Sequence, residues 1–311
     1  MKRIFLVIAI VCIGMITQAQ DSKKIMLPTG WALSPAGKSL ALGDLPLNMA
    51  VSKSKKLMAI TNNGQSTQSI QLINLVSNTI LDNIKIDKSW LGIAFSADEK
   101  TLYASGGNDN WILKYNIINN KLKLIDSIKL GEKWPNKISP AGICINDAKN
   151  ILYVVTKDDN SLYEINLANK KIIKQTALPA EAYTCVLSND NSELYISVWG
   201  AEKLVVYNTL SQKITSSINT GTHPNDLILS KNGKTIYVAN GEDNSVSVID
   251  IKNRKVLETL NCALYPNAPA GSATNGVALS TDEKKTCSLK NLRKFLSETV
   301  SPQPAVIFSY K

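Results

Sequence analysis

Histidine is almost absent from this sequence, because the 311 residues contain only one, His223. A metal site that needs two imidazoles is therefore excluded, and a single residue could serve as the base of a histidine-dependent triad. The sequence also lacks a Gly-x-Ser-x-Gly elbow, a Gly-rich phosphate loop and a Cys-x-x-Cys-His haem motif. We therefore predict no catalytic residue, no metal and no cofactor, and we expect a protein that is not an enzyme.

Long apolar runs are equally scarce. The main one, residues 5–15, is too short to span a bilayer core of about 30 Å, and it follows the positively charged pair Lys2 and Arg3. Residues 17–19 place small side chains at the positions that signal peptidases require. Residues 1–19 are thus predicted to be an export signal, with the mature chain in the periplasm or at the cell exterior and without a membrane span.

The charge balance is basic but diffuse. Lys and Arg outnumber Asp and Glu by 35 to 25, which gives a formal net charge of +10. The surplus forms no continuous run and is not interleaved with aromatic residues, which make up only 6% of the chain. Nucleic-acid modules concentrate such charge, so a nucleic acid is not the expected partner. The composition leaves the protein or small-molecule ligand unidentified.

A repeat occurs six times along the chain. Each copy has a polar or small residue, three apolar residues, and then Ser or Asn. These closing residues are Ser52, Ser96, Asn146, Ser188, Ser230 and Ser280. They are separated by 44, 50, 42, 42 and 50 residues, which is the size of one β-propeller blade.

The rest of each copy supports that fold. Turns rich in Asx, Gly and Lys separate three further short strand patterns, so each unit would contain four strands. Three consecutive apolar residues in the first strand indicate that both of its faces are covered, as in an inner strand between neighbouring blades. We predict an all-β propeller with about five complete blades and a partial sixth.

The sequence motifs of the fifth copy are specific enough to compare with a known repeat family. It reads Tyr-Val-Ala-Asn at 237–240 and Asn-Ser-Val-Ser-Val-Ile-Asp at 244–250, and His-Pro-Asn-Asp precedes it at 223–226. This sequence resembles the YVTN family of β-propeller repeats, and the resemblance extends over about residues 37–286. It implies a seven-bladed, usually exported propeller.

The two ends of the repeat region differ. Residues 36–43 match an outermost strand, so the N-terminal strand is expected to be the outer strand of the closing blade. The propeller is assigned to residues 20–286, and residues 287–311 to a tail outside the repeat, in which apolar spacing over 289–296 allows a short helix. The abrupt loss of the repeat favours a frameshifted, truncated or recombined reading frame, and the alternative is a natural C-terminal helix that caps an incomplete ring. An incomplete ring predicts self-association through an open blade edge.

Two cysteines occupy the apolar columns of the inner strands. Cys185 shares its column with Met49 and Ile93, whereas Cys144 is one position further along, in the column of Ala50. Both are predicted to be buried core thiols. Since neighbouring positions of a strand point to opposite faces, no disulfide is expected between them.

A ligand site is expected where the loops that lead into the inner strands surround the central channel. The side chains there that could stack or form hydrogen bonds are Trp90, Tyr183, His223, Asn225, Asp226 and Asn275. The alternative is that these segments only shape the turns into the strands.

Three functions fit these observations. The first is an exported, non-catalytic binding or protein-interaction module. The second rests on residues 27–31 and 43–48, which look like those of family members fused to an alkaline-phosphatase-like phosphoesterase, so the chain would be the propeller portion of a hydrolase whose catalytic domain is absent. The third is a redox protein related to quinone-dependent propeller dehydrogenases, for which no ligand motif is present.

Overall fold

The structure is a computed structural model. It describes residues 25–26, 32–33, 40–133, 135–263, 274–280, 282–283, 286–290 and 306–309. The chain divides into two compact units, residues 1–41 and 42–311. In the first unit, Ile25–Met26 pairs antiparallel with Ala32–Leu33.

Two predictions for the N-terminal region fall mainly outside this description. The expected export signal, residues 1–19, lies outside the described residues, as do residues 36–39 of the expected closing strand. Residues 40–43 are described and do not belong to a strand. In the parts of the chain that the structure describes, no helix has the length and apolar character needed to cross a membrane.

The second unit contains five antiparallel sheets of four consecutive strands each, which confirms the predicted blades. The first three blades consist of Pro46–Val51, Leu57–Asn62, Ser69–Asn74 and Thr79–Lys85; Ile93–Phe95, Thr101–Ser105, Trp111–Ile118 and Lys121–Lys129; and Pro140–Asn146, Ile151–Thr156, Ser161–Asn166 and Lys171–Ala177. Blades 4 and 5 consist of Thr184–Leu187, Glu193–Val198, Lys203–Asn208 and Lys213–Asn219; and Pro224–Leu229, Thr235–Asn240, Ser245–Asp250 and Lys255–Asn261. First strands of neighbouring blades contact one another, so they are the inner strands of a propeller.

A sixth sheet extends beyond the residue where the sequence analysis ended the repeat. Its three strands are Thr274–Leu279, Thr286–Lys290 and Val306–Ser309, in that order. Residues 289 and 290, part of the segment where a short helix was considered, therefore lie in a strand. The physical reason is visible in residues 287–290, whose apolar and polar residues alternate as in a strand.

Each outer strand contains a bulge at an equivalent place. One extra residue interrupts its pairing with the third strand in every four-stranded blade. The extra residues are Leu81, Ile125, Ile173, Thr215 and Leu257. A bulge bends and twists an exposed edge, which makes it a poor template for pairing with another chain.

The hydrophobic core lies between blades rather than within one of them. In each described interface, the second residue of one repeat is buried against the partly buried third residue of the preceding repeat. These pairs are Ile93 with Ala50, Ile143 with Ala94, Cys185 with Cys144, Leu227 with Val186, and Val277 with Ile228. Consecutive residues of each inner strand therefore face opposite neighbouring blades, as the apolar triplets predicted.

That arrangement corrects the expectation for the two cysteines. Cys144 and Cys185 do point to opposite faces of their own blades. Because blade 3 packs against blade 4 face to face, however, those opposite faces form one interface, and the two Sγ atoms are 3.6 Å apart. The prediction that the offset separates the thiols was wrong, since it treated two blades as one sheet.

Candidate functional site

The inner strands of neighbouring blades begin close to one another. We call the side of the sheets on which they begin the upper face. Small or polar residues open the repeats there, namely Asn48, Gly92, Gly142, Thr184, Asp226 and Gly276. The Asn48 side chain donates a hydrogen bond to the Leu91 carbonyl at 2.7 Å, and the Gly142 N–H donates to the Tyr183 carbonyl at 2.9 Å. Neighbouring blades are thus joined directly where their inner strands begin.

Gly92 and Gly142, two of the three glycines at these positions, allow the strands to approach closely. A Cβ atom on Gly92 would lie 2.2 Å from the Ala141 carbonyl oxygen, and one on Gly142 would lie 2.3 Å from the Thr184 Cα atom. Backbone atoms block both positions, so no larger residue fits without moving a blade. The side chains that can give this part of the channel its chemistry therefore come from the other positions.

Asp226 is the charged residue among the six that open the repeats. Its carboxylate accepts a hydrogen bond from the N–H group of Leu227, at 2.9 Å, and another from that of Val277, at 3.2 Å, and the second links blade 5 to the sixth sheet. Burial nevertheless raises the pKa of this carboxyl to about 6, because desolvation outweighs the two hydrogen bonds. A carboxyl that titrates near neutral pH can bind a cation or exchange a proton.

Three other predicted residues lie around Asp226. Asn225 is buried, and its Nδ2 donates to Oδ1 of Asn275 at 2.8 Å. The Asn225 Oδ1 atom is buried without a hydrogen-bond partner. Tyr183 is half-buried, and its phenol pKa is raised, first by burial and second by the charge of Asp226. Tyr183, Asn225, Asp226 and Asn275 lie where the inner strands of blades 4 and 5 and of the sixth sheet begin, and we call these four residues the polar group.

The remaining two predicted residues have other neighbours. The His223 ring lies 4.0 Å from the Trp199 ring, and its Nδ1 is 3.5 Å from Oε2 of Glu242. Trp90 is half-exposed, and Nζ of Lys157 lies 5.9 Å from the centre of its ring. The contacts of His223 with Trp199 and of Trp90 with Lys157 each join two neighbouring blades.

Sequence reasoning missed Trp199, Glu242 and Lys157. All three belong to loops between second and third strands. In an antiparallel blade, the loop between the second and third strands lies on the same side as the start of the inner strand. The order of the strands alone would therefore have added these loops to the candidate site. Trp199 follows Val198, which stands where the fifth copy has Asn240, and this departure was a usable signal.

The loops of the upper face have an unexpected charge. Their acidic residues are Asp44, Asp87, Asp109, Glu132, Asp158, Asp159, Glu181, Glu202, Glu242 and Asp243. Their basic residues are Lys88, Lys133, Lys137 and Lys157. In its described turns the opposite, lower face has more basic than acidic residues. The basic ones are Lys53, Lys55, Lys56, Lys100, Lys149, Lys170, Lys231, Lys234, Lys252 and Arg254, and the acidic ones are Asp98, Glu99, Asp147, Asp190, Asp282 and Glu283. An acidic face on a chain of net charge +10 favours cations at the channel mouth.

Comparisons with known proteins bear on part of the chain. The model of the family described as "Lactonase, 7-bladed beta-propeller" matches residues 172–263. This segment runs from the outer strand of blade 3 through blade 5 and includes Tyr183, His223, Asn225 and Asp226, but not Trp90 or Asn275. The comparison with curated proteins gives no match. The YVTN-repeat assignment and the phosphoesterase fusion remain predictions.

Proposed function

We propose that this chain is a β-propeller binding module that holds a cationic ligand or a basic protein segment at the upper mouth of its channel. The observation that carries the proposal is the division of charge, with an acidic upper face around Asp226 and a basic lower face. Electrostatic attraction of this kind raises local ligand concentration and association rate. Export, inferred from residues 1–19, is part of the same proposal.

The polar group supplies the local chemistry that a bound cation needs. When ionised, the Asp226 carboxylate provides charge, and the neighbouring Asn225 Oδ1 is a buried acceptor without a hydrogen-bond partner. Trp90 offers a half-exposed aromatic face on the same side of the blades. Since Asp226 loses its proton with a pKa of about 6, cation affinity should increase from pH 5 to pH 7.

A pair of peptides tests the proposal. Titration calorimetry with an oligolysine peptide at low salt should show binding that weakens as salt is added, whereas an oligoglutamate of equal length should not bind. Glu181→Gln, on the upper face, and Asp226→Asn should each weaken oligolysine binding several-fold. Glu258→Gln, on the outer strand of blade 5, is the matched control and should leave it unchanged. Equal effects of Glu181→Gln and Glu258→Gln, or no binding, would refute the proposal.

An enzymatic role is the second candidate. It is favoured by the partial match to a lactonase family and by the raised pKa of Asp226, which suits a general base that activates water. The purified chain would then open a six-membered sugar lactone faster than buffer does, with a rate that rises through pH 6 and is lost in Asp226→Asn. A rate equal to that of buffer eliminates this candidate.

A further inference from the structure

Cys144 and Cys185 meet across the interface between blades 3 and 4. Cys144 belongs to the inner strand Pro140–Asn146, and Cys185 to the next inner strand, Thr184–Leu187. Their Sγ atoms are 3.6 Å apart, which is a direct contact between two thiols. They occupy a site that is filled in the other interfaces by pairs such as Ile93 and Ala50.

The surroundings make the pair suitable for a covalent link. Cys185 is buried, whereas Cys144 is only partly so, and both belong to the apolar cluster of the two blades. The inner strands are held together next to the pair by the hydrogen bond from Gly142 N–H to the Tyr183 carbonyl. A disulfide requires the two sulfurs to approach from 3.6 Å to about 2.05 Å, and this hydrogen bond holds the two backbones in register beside them.

We propose that Cys144 and Cys185 form a disulfide that joins blade 3 to blade 4 when the protein meets a disulfide oxidant. The partly exposed Cys144, as its thiolate, attacks one sulfur of the oxidant and forms a mixed disulfide, with release of one thiol. Cys185 then loses its proton and attacks the Cys144 sulfur, which releases the second thiol of the oxidant. Two protons and two electrons pass in total from the cysteines to the oxidant.

Burial sets the rate of this reaction. Desolvation, with Cys185 as a smaller contribution, raises the pKa of the Cys144 thiol, so little thiolate is present near neutral pH. We therefore expect slow oxidation of the folded protein that accelerates with pH. Formation during folding, before blade 4 covers the site, would be faster.

A disulfide here would stabilise the propeller. The two residues are 41 positions apart, so the bond closes a loop that spans about one blade and restricts the unfolded chain. The melting temperature of the oxidised protein should exceed that of the reduced protein by roughly 5–10 °C. The other described free cysteine, Cys262, is buried, and its Sγ contacts the Leu260 carbonyl at 3.8 Å. It supplies the control.

The test uses the full chain, purified under reducing conditions and then incubated with oxidised glutathione. We expect a loss of about 2 Da in intact mass, a digest peptide that links Cys144 to Cys185, and a higher melting temperature. Cys144→Ser and Cys185→Ser should each lose the linked peptide and the thermal shift, and Cys262→Ser should retain both. Because the wild-type digest is decisive by itself, a variant that fails to fold leaves the test valid. Free, alkylatable thiols at both positions after prolonged oxidation of the wild type would overturn the proposal.

Discussion

Blade 1 and the blades that follow it treat the same inner-strand position in opposite ways. The second residue of the repeat is nearly inaccessible in the later copies, with 6% exposure for Ile93, 7% for Ile143 and 7% for Leu227, but Met49 in blade 1 is 54% exposed. Val51, on the same face, is 50% exposed. The later blades cover this face with the preceding blade, and blade 1 has no preceding repeat in the described residues. The same sequence pattern is therefore core in one place and surface in another.

The largest expected difference concerns core truncation. Leu227→Ala removes a side chain from the interface between blades 4 and 5 and should lower the free energy of unfolding by about 2–5 kcal/mol. Met49→Ala, at the equivalent position of blade 1, should cost about 0.5 kcal/mol or less. Urea unfolding of both variants measures the contrast. Equal losses would show that the blade 1 face is covered in solution.

Asn48 and Asp226 open the repeats of blades 1 and 5, and the pH dependence of their contributions to stability can be compared. The folded-state pKa of Asp226 is raised to about 6 from its ordinary value of 3.8, so the folded state binds the proton more tightly. Its contribution to stability is complete below pH 3.8 and is lost as pH rises to about 6, by up to about 3 kcal/mol. The stability difference between wild type and Asp226→Asn should follow this curve between pH 4 and 6. A flat difference would contradict it, and Asn48→Ala should show no such pH dependence.

Ion pairs between blades are expected to have a smaller effect. Arg254 of blade 5 contacts Glu193 of blade 4, and both are only partly exposed. Arg254→Met should cost about 1 kcal/mol, less in 1 M salt, because it removes an inter-blade pair. Lys129→Met breaks an exposed pair with Glu132, which lies three residues away, and should be close to neutral. Chemical denaturation at two salt concentrations distinguishes them, and equal costs would count against an inter-blade contribution.

The smallest effect on stability, but a clear effect on association, is expected on the open face of blade 1. Met49→Lys with Val51→Lys should change the free energy of unfolding by about 0.5 kcal/mol or less. It should also abolish the self-association that we predict for the wild type, because the exposed apolar face would become charged. Leu210→Lys, at a turn residue that is 72% exposed, is the control and should associate as the wild type does. A monomeric wild type in sedimentation velocity would contradict the prediction.

Much of the fold could be predicted because its signals are local. Turn residues and alternation mark each strand, and the recurring Ser or Asn residues mark each blade. The secondary structure of the tail was harder to predict, since residues 287–290 alternate apolar and polar residues as a strand does but lack the Tyr-Val motif of earlier copies. The strand Val306–Ser309 could not be assigned, because its partner is separated from it by a segment of other character.

The candidate site was predicted only in part. Residues that open the inner strands were found from the repeat, and four of the six lie in one polar group. The contacts of His223 with Trp199 and of Trp90 with Lys157 were missed, because they join loops of different blades.

The sequence by itself determined the number of blades, the order of strands within them and the residues that line their inner edges, because these follow from periodicity within about forty residues. Only the tertiary structure decided which residues face each other. Face-to-face packing of blades placed Cys144 against Cys185, buried Asp226 enough to raise its pKa, and left Met49 exposed. The reason is that a repeat specifies each blade alone, whereas burial and charge depend on the neighbouring blade.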